Sequence, residues 1–212
     1  MSLEHLKWKP EMDMYKLNTA ADVDRWVVGS DKDIGGYSTA KLEITEANTG
    51  LFHGHLSQDI PNDAKIVRSG YAAIRSKKNE KVMLQEAAWD TVPFRYLSLR
   101  VKGDRRKYLV NISTSSFIKT DLYQHRLFLR TPGQWEIVHL PFRFFAMTNN
   151  GSFVSQHIDM YREMVETIGI SLSDKQPGPF RLEIDWIKAT NTEDTDGDYD
   201  RMDYGRMKFR FR

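Results

Sequence analysis

Glu183 and Asp185 alternate with Leu182, Ile184 and Trp186 in the segment Pro179 to Ala189. Residues two apart on an extended strand share a face, which sets two carboxyls at about the 5–5.5 Å separation used by retaining glycosidases. A like-charge pair at that distance also raises one pKa toward a general acid's. Arg100, Lys102, Arg126 and Arg130 fall on polar strand faces too, and cross-strand ion pairs are the ordinary use of such carboxylates. His53 and His55 are likewise two apart, but zinc needs at least three protein ligands and no third is evident nearby. Hydrogen-bonded or exposed strand histidines are the expectation. Asp194, Asp196 and Asp198 have the spacing that opens a calcium loop, yet Tyr199 stands where the loop needs Gly and Gly205 where it needs Glu. That stretch is therefore read as an acidic linker. Asn111 and Asn150 head formal glycosylation sequons of little weight. The sequence contains no phosphate loop, dinucleotide fingerprint, nucleophile elbow or paired-histidine zinc motif. No catalytic residue, metal or cofactor is assigned.

The aromatic residues admit two uses. Trp26, Trp89, Trp135 and Trp186 each sit at a strand or strand edge beside apolar neighbours. Rings of this size fill the roughly 10 Å between packed sheets, so core packing is the first expectation, Trp186 included. The second is an aromatic platform for a sugar ring, with Phe117 to Tyr123 and Pro141 to Phe145 as loop candidates. A carbohydrate-binding module is accordingly the alternative function.

These residues need a scaffold, and the pattern around them is one of strands. Leu97, Leu99 and Val101 alternate with Tyr96, Ser98, Arg100 and Lys102; Tyr108, Val110 and Ile112 alternate with Leu109, Asn111 and Ser113. A period of two marks half-buried strands. Similar segments run from Tyr37 to Ile44, Gly50 to Leu56, Gly70 to Arg75, Gln124 to Arg130, Trp135 to Leu140, Thr167 to Leu172 and Pro179 to Ala189. Turn residues separate them, among them Gly35-Gly36, Gly103-Asp104, Pro132-Gly133 and Pro177-Gly178. Nine or ten such strands predict an all-β fold, a two-sheet, jelly-roll-like sandwich. Short peripheral helices are expected where Thr19 can cap Ala20 to Asp24, and around His157 to Val165.

With 212 residues, one domain with a sizeable core is the default. Thirty-one basic and 29 acidic residues give a net charge of +2, with no dense basic patch of the kind nucleic-acid binding requires. The chain has no cysteine, which excludes disulfides, thiol nucleophiles and cysteine-ligated metals. No apolar run approaches the roughly 20 residues that span a bilayer. The body is placed at residues 18–190. Residues 1–17 are read as an irregular segment, and 191–212 as a tail, acidic first and then basic and aromatic. Arg206, Lys208, Phe209, Arg210 and Phe211 combine the residue types found at interfaces and are the candidate partner-binding positions. The same segment suits anionic lipid headgroups or an added edge strand.

Several motifs in order resemble a known family. They run from Trp26 and Gly29-Ser30-Asp31 through Gly35-Gly36-Tyr37-Ser38, then Phe52-His53-Gly54-His55-Leu56-Ser57 and Gly70 to Arg75. Tyr96 to Asp104 with Lys107-Tyr108, Trp135 through Phe142, Ile168 to Leu172 and Gly178 to Ile187 complete the set. The stretch from Trp26 to Ala189 is similar to the complex I intermediate-associated protein family, the mitochondrial respiratory complex I assembly factors. The resemblance implies a galactose-binding-like β-sandwich and a non-enzymatic chaperone. It also implies work in the mitochondrial matrix against the inner membrane, bound to membrane-arm intermediates and other assembly factors. Family precursors carry a presequence, and the start Met1 to His5 is expected of a mature or trimmed chain. A monomer is the default. One departure is Arg105, where the family often has Gly after the turn aspartate; Gly103 is then expected to supply any positive φ.

Overall fold

The computed structural model describes residues 10–60, 69–78, 88–115, 121–149, 152–154 and 158–192. Two antiparallel sheets face each other. The first contains β3 (Thr39–Ile44), β4 (Gly50–Leu56), β13 (Gly178–Thr190), β6 (Tyr96–Gly103) and β9 (Glu136–Pro141) in that order, and β1 (Glu11–Lys16) also pairs with β13. The second runs β11 (Ser152–Phe153), β10 (Ala146–Asn149), β8 (Asp121–Arg126), β7 (Tyr108–Thr114), β12 (Val165–Leu172), β5 (Ala72–Ser76) and β2 (Trp26–Ser30). This is the all-β two-sheet sandwich that the strand periodicity predicts.

Alternation supplies the core. Leu97, Leu99 and Val101 of β6 and Tyr108, Val110 and Ile112 of β7 are all fully buried, on the faces their spacing predicts. Leu182 and Ile184 of β13 meet Ile168 and Ile170 of β12 in the same cluster. At about 25 cal/mol per Å2 of apolar surface removed from water, this shared layer is the dominant attraction between the sheets.

Strand β13 organises its sheet. It pairs with β6 from Leu182 to Thr190, while its other edge is shared, by β4 opposite Gly178–Ile184 and by β1 opposite Trp186–Thr190. At the handover the register on β6 slips between Ile184 and Trp186, leaving Asp185 as an extra residue. Such a bulge reverses which side chains point inward. Phe180, Leu182 and Ile184 are buried before it, Ile187 and Ala189 after it. Trp186 is therefore turned out of the core, contrary to the expectation from simple alternation. It stands half-buried on the outer face, with the Lys188 ammonium 5.1 Å from its ring centroid.

The second departure is at the N-terminal end. Glu11–Lys16, expected to be irregular, is a strand, and Met14, Tyr15 and Leu17 are buried. Its register also slips, between Asp13 and Tyr15, so Met14 and Tyr15 are buried consecutively and no period of two is visible. The Tyr15 ring packs edge-on against Trp26 at 5.4 Å and Trp89 at 5.9 Å, and its hydroxyl accepts a 3.2 Å hydrogen bond from Trp89 Nε1. Trp26 and Trp89 thus serve packing, as expected.

The short helix α1 (Ala20–Val23) begins where Thr19 caps it, with a reciprocal capping box between Thr19 and Asp22. Of the expected helix around His157 to Val165, His157 lies outside the described residues, and the described part forms one 3-10 turn, Arg162–Met164. Gly103 does not have positive φ. A Cβ there would press on the terminal methyls of Leu129 and Leu182, so glycine at this position serves packing and not the turn. The turn is held instead by Asp104, which accepts from the amides of Arg106 (2.9 Å) and Arg181 (2.7 Å).

Candidate functional site

The outer face of the β13 sheet carries the paired carboxylates singled out in the sequence. Glu183 is 4% exposed. It accepts from Arg181 at 2.9 Å and lies 3.2 Å from Lys102 Nζ. Burial alone would raise its pKa, but these cationic hydrogen bonds outweigh it and hold the carboxyl below its ordinary value. That is the opposite of what a general acid needs. Asp185 is engaged separately, by Arg100 and by Asn18 Nδ2 at 2.7 Å. The ion-pair reading of both residues therefore describes this face. Trp135 and Trp186 stand here too, each with a cation over its ring: Arg100 at 4.7 Å over Trp135 and Lys188 over Trp186. Those faces are already occupied, which counts against an open sugar platform.

The remaining sequence candidates disperse. His53 Nε2 is 2.9 Å from Glu43 Oε1, and among the described residues no three potential ligands gather for a metal. Asn111 spends its amide on Ser171 (2.9 Å) and Gln124 (2.7 Å). Phe142 and Phe145 are buried. Phe117, Asn150, Asp194, Asp196, Asp198 and the candidate positions Arg206, Lys208, Phe209, Arg210 and Phe211 lie outside the described residues.

One corner of the sandwich combines a fixed base with exposed apolar side chains. It is built on Asp31, whose side chain is wholly buried although it bears a carboxylate. The carboxylate accepts from Ser38 N at 2.8 Å, from Ser38 Oγ at 2.9 Å and from the Gly70 amide. Asp31 starts the 3-10 turn Asp31–Ile34, capped by Ser30 and closed by Gly35 at φ 96°, a left-handed conformation suited to glycine. Gly36 lies so close that a Cβ would fall 2.5 Å from the Asp31 carboxyl carbon. Ser38 Oγ also accepts from Ser57 N at 3.0 Å. Ser57 follows β4 and Gly70 precedes β5, so one buried carboxylate ties the turn to both sheets.

The Gly29-Ser30-Asp31 and Gly35-Gly36-Tyr37-Ser38 motifs thus have a physical purpose that pattern reading gave only in part. The glycines are legible in the sequence, but the Asp31 anchor is not, because its donors lie up to 39 positions away. On this base Ile34 is 54% and Tyr37 58% exposed, and Val27 and Val28 of the edge strand β2 are 43% and 36% exposed. Beside them a groove of about 450 Å3 is lined by Val28, Lys32, Asp33, Lys41 and His53. Apolar side chains held open on a turn beside a strand edge that is unpaired among the described residues can bury themselves in a partner.

The model of the family described as Complex I intermediate-associated protein 30 matches residues 15–184. Relatives bearing that name, with the qualifier mitochondrial, include one from Neurospora crassa, 34% identical over 209 residues and covering 87% of this chain and 75% of its own. The Drosophila melanogaster relative is 37% identical, covering 79% of this chain and 59% of its own; the mouse relative is 35% identical, covering 82% and 54%. This chain thus spans little more than half the length of those two. Among solved structures, the family 11 carbohydrate-binding module of Clostridium thermocellum superposes with a TM-score of 0.56 at 15% identity, covering 86% of this chain and 96% of its own. An agarase, AgWH50C, superposes with a TM-score of 0.57 at 6% identity, covering 87% of this chain and 25% of its own. At such identities the likeness is one of fold. The chain belongs to the Complex I intermediate-associated protein 30 family.

Proposed function

We propose that this chain is a non-enzymatic assembly factor for mitochondrial respiratory complex I, acting by protein–protein binding to membrane-arm assembly intermediates and to other assembly factors. The observation that carries the reading is the family match across residues 15–184, with relatives named for association with complex I intermediates and for the mitochondrion. The site geometry fits a binding role. The carboxylates that could have served as an acid–base pair are each engaged by cations, and the turn anchored by Asp31 and the neighbouring strand β2 carry four of the exposed apolar side chains. We place the principal contact at that corner, through Val27, Val28, Ile34 and Tyr37, with the segment Arg206 to Phe211 as a second contact. The setting is the matrix side of the inner membrane. No helix among the described residues is long and apolar enough to cross a bilayer, so attachment there is assigned to partner contacts.

Affinity capture of the tagged chain from mitochondria tests this reading. Complex I membrane-arm subunits and assembly factors are the expected prey. Recovery of neither overturns it. A chain lacking residues 206–212 should recover less, and unchanged recovery removes that segment from the interface.

A further inference from the structure

A second groove lies where β6 begins and β9 ends. Its volume is about 230 Å3, and Arg95, Arg143 and Arg162 are among the residues that line it. Arg162 is held in place: its Nη2 donates to the Thr91 carbonyl at 2.5 Å and to that of Phe94, and its guanidinium lies 4.7 Å over the Phe142 ring. Its Nε is buried without a hydrogen-bond partner among the described residues. Arg143 stands exposed on the 3-10 turn Phe142–Phe144, its guanidinium 4.7 Å from the Phe144 ring centroid. Among the described residues neither Arg143 nor Arg162 forms a salt bridge. Loss of solvent bears on Arg162 more than the charges of Asp90 and Glu163 do, and neither acid lines the groove. A guanidinium drawn partly out of water with no carboxylate against it carries a desolvation cost that an incoming anion offsets.

The backbone around the groove narrows the choice of anion. Phosphate sites are commonly built from converging main-chain N–H groups. Here Pro93 and Pro141 line the groove and have no N–H to give. The amides of Val92, Phe94 and Arg95 are already spent, on Asp90 Oδ1 (3.0 Å), the Thr91 carbonyl (3.1 Å) and the Thr190 carbonyl (3.2 Å). Guanidinium is the donor that remains, and its planar fork grips a carboxylate with two hydrogen bonds at once. The rim beside the arginines is apolar: Val92 is 48% exposed, and Pro93 is exposed next to it. A carboxylate with an aliphatic neighbour satisfies both parts of this surface. Small-molecule pockets start at roughly 300 Å3; this smaller groove suits one or two side chains of a peptide.

We propose that the arginine-lined groove binds an acidic peptide segment of a partner protein. A carboxylate of that segment is gripped by Arg143 and Arg162, and the aliphatic side chain beside it lies on Val92 and Pro93. This contact is separate from the apolar corner, and its peptide binding does not depend on the assembly role.

The test titrates the purified full chain into the fluorescein-labelled peptide Glu-Leu-Glu-Leu-Glu and reads fluorescence anisotropy. The comparison is the same peptide with Gln in place of each Glu. The proposal predicts saturable binding that is about tenfold tighter, or more, for the acidic peptide. Arg143→Glu, at an exposed position that leaves the core untouched, should abolish that advantage. Arg105→Glu makes the same charge change at an exposed position just past the far end of β6 and should leave the affinity nearly unchanged. Equal binding of the two peptides, binding of neither, or equal weakening by Arg143→Glu and Arg105→Glu overturns the proposal. Displacement of the acidic peptide by inorganic phosphate at lower concentrations than by succinate would assign the groove to phosphate and overturn it as well.

Discussion

Asp31 is a carboxylate in the interior that, among the described residues, is held by amide and hydroxyl donors and by no cation. Each donor is one that the turn and the two sheets would otherwise leave unsatisfied, so the anchor and the turn stabilise one another. Gly36→Ala pushes a methyl into this group and should cost about 1–3 kcal/mol, read from urea unfolding. Trp186 is the opposite case. Its outward position predicts that Trp186→Ala costs about 1 kcal/mol or less, against about 3–5 for Phe52→Ala, since Phe52 is fully buried against Phe180 at 4.9 Å. Equal losses for the two substitutions would return Trp186 to the core.

At the scale of elements, two loops that cross from one sheet to the other are pinned by a polar staple. Asp174, with a fully buried side chain, receives Arg106 Nε and Nη2 at 2.8 Å each, and Arg106 also reaches the carbonyls of Gln176 (2.5 Å) and Pro179 (3.0 Å). Burial alone would raise the Asp174 pKa, but the Arg106 hydrogen bonds and the Gln176 amide hold it below its ordinary value. The unfolded chain therefore binds this proton first, near the free value of about 3.9. The staple contributes fully above that pH and is lost as acid passes down through the folded value. Unfolding midpoints from pH 7 to pH 3 should fall less steeply for Asp174→Asn than for the unaltered chain. Arg106→Ala, which strands a buried charge, should cost about 3–5 kcal/mol at pH 7.

The elements legible in the sequence were those whose alternation is unbroken, such as β6 and β7, and those marked by caps or glycines, such as α1 and the Asp31–Ile34 turn. Strand β1 and the second half of β13 depart from simple alternation for one physical reason: a single inserted residue reverses the faces, and a bulge leaves no local mark in the sequence. The two carboxylates two apart on β13, conversely, are legible as ion-pair partners, because Arg100 and Lys102 fall on polar strand faces in the sequence.

Over the whole molecule, the N-terminal strand closes the structure on its C-terminal one. Removing residues 1–17 uncovers the sites of Met14, Tyr15 and Leu17. At about 1.5–3 kcal/mol for each buried side chain, the loss approaches the 5–15 kcal/mol that holds a domain together. That truncated chain should lose its cooperative thermal transition; a transition unchanged from that of the full chain would show that β1 is dispensable. Its energetic role gives the platform its rigidity, and rigidity keeps Ile34 and Tyr37 exposed instead of collapsed onto their own surface. The most direct measurement is quantitative capture of complex I assembly intermediates from mitochondria by the unaltered chain and by Ile34→Asp/Tyr37→Asp. Unfolding of the two proteins is recorded in parallel. The account predicts matching thermal transitions and a loss of most captured membrane-arm subunits in the variant. Equal capture by both proteins would contradict it.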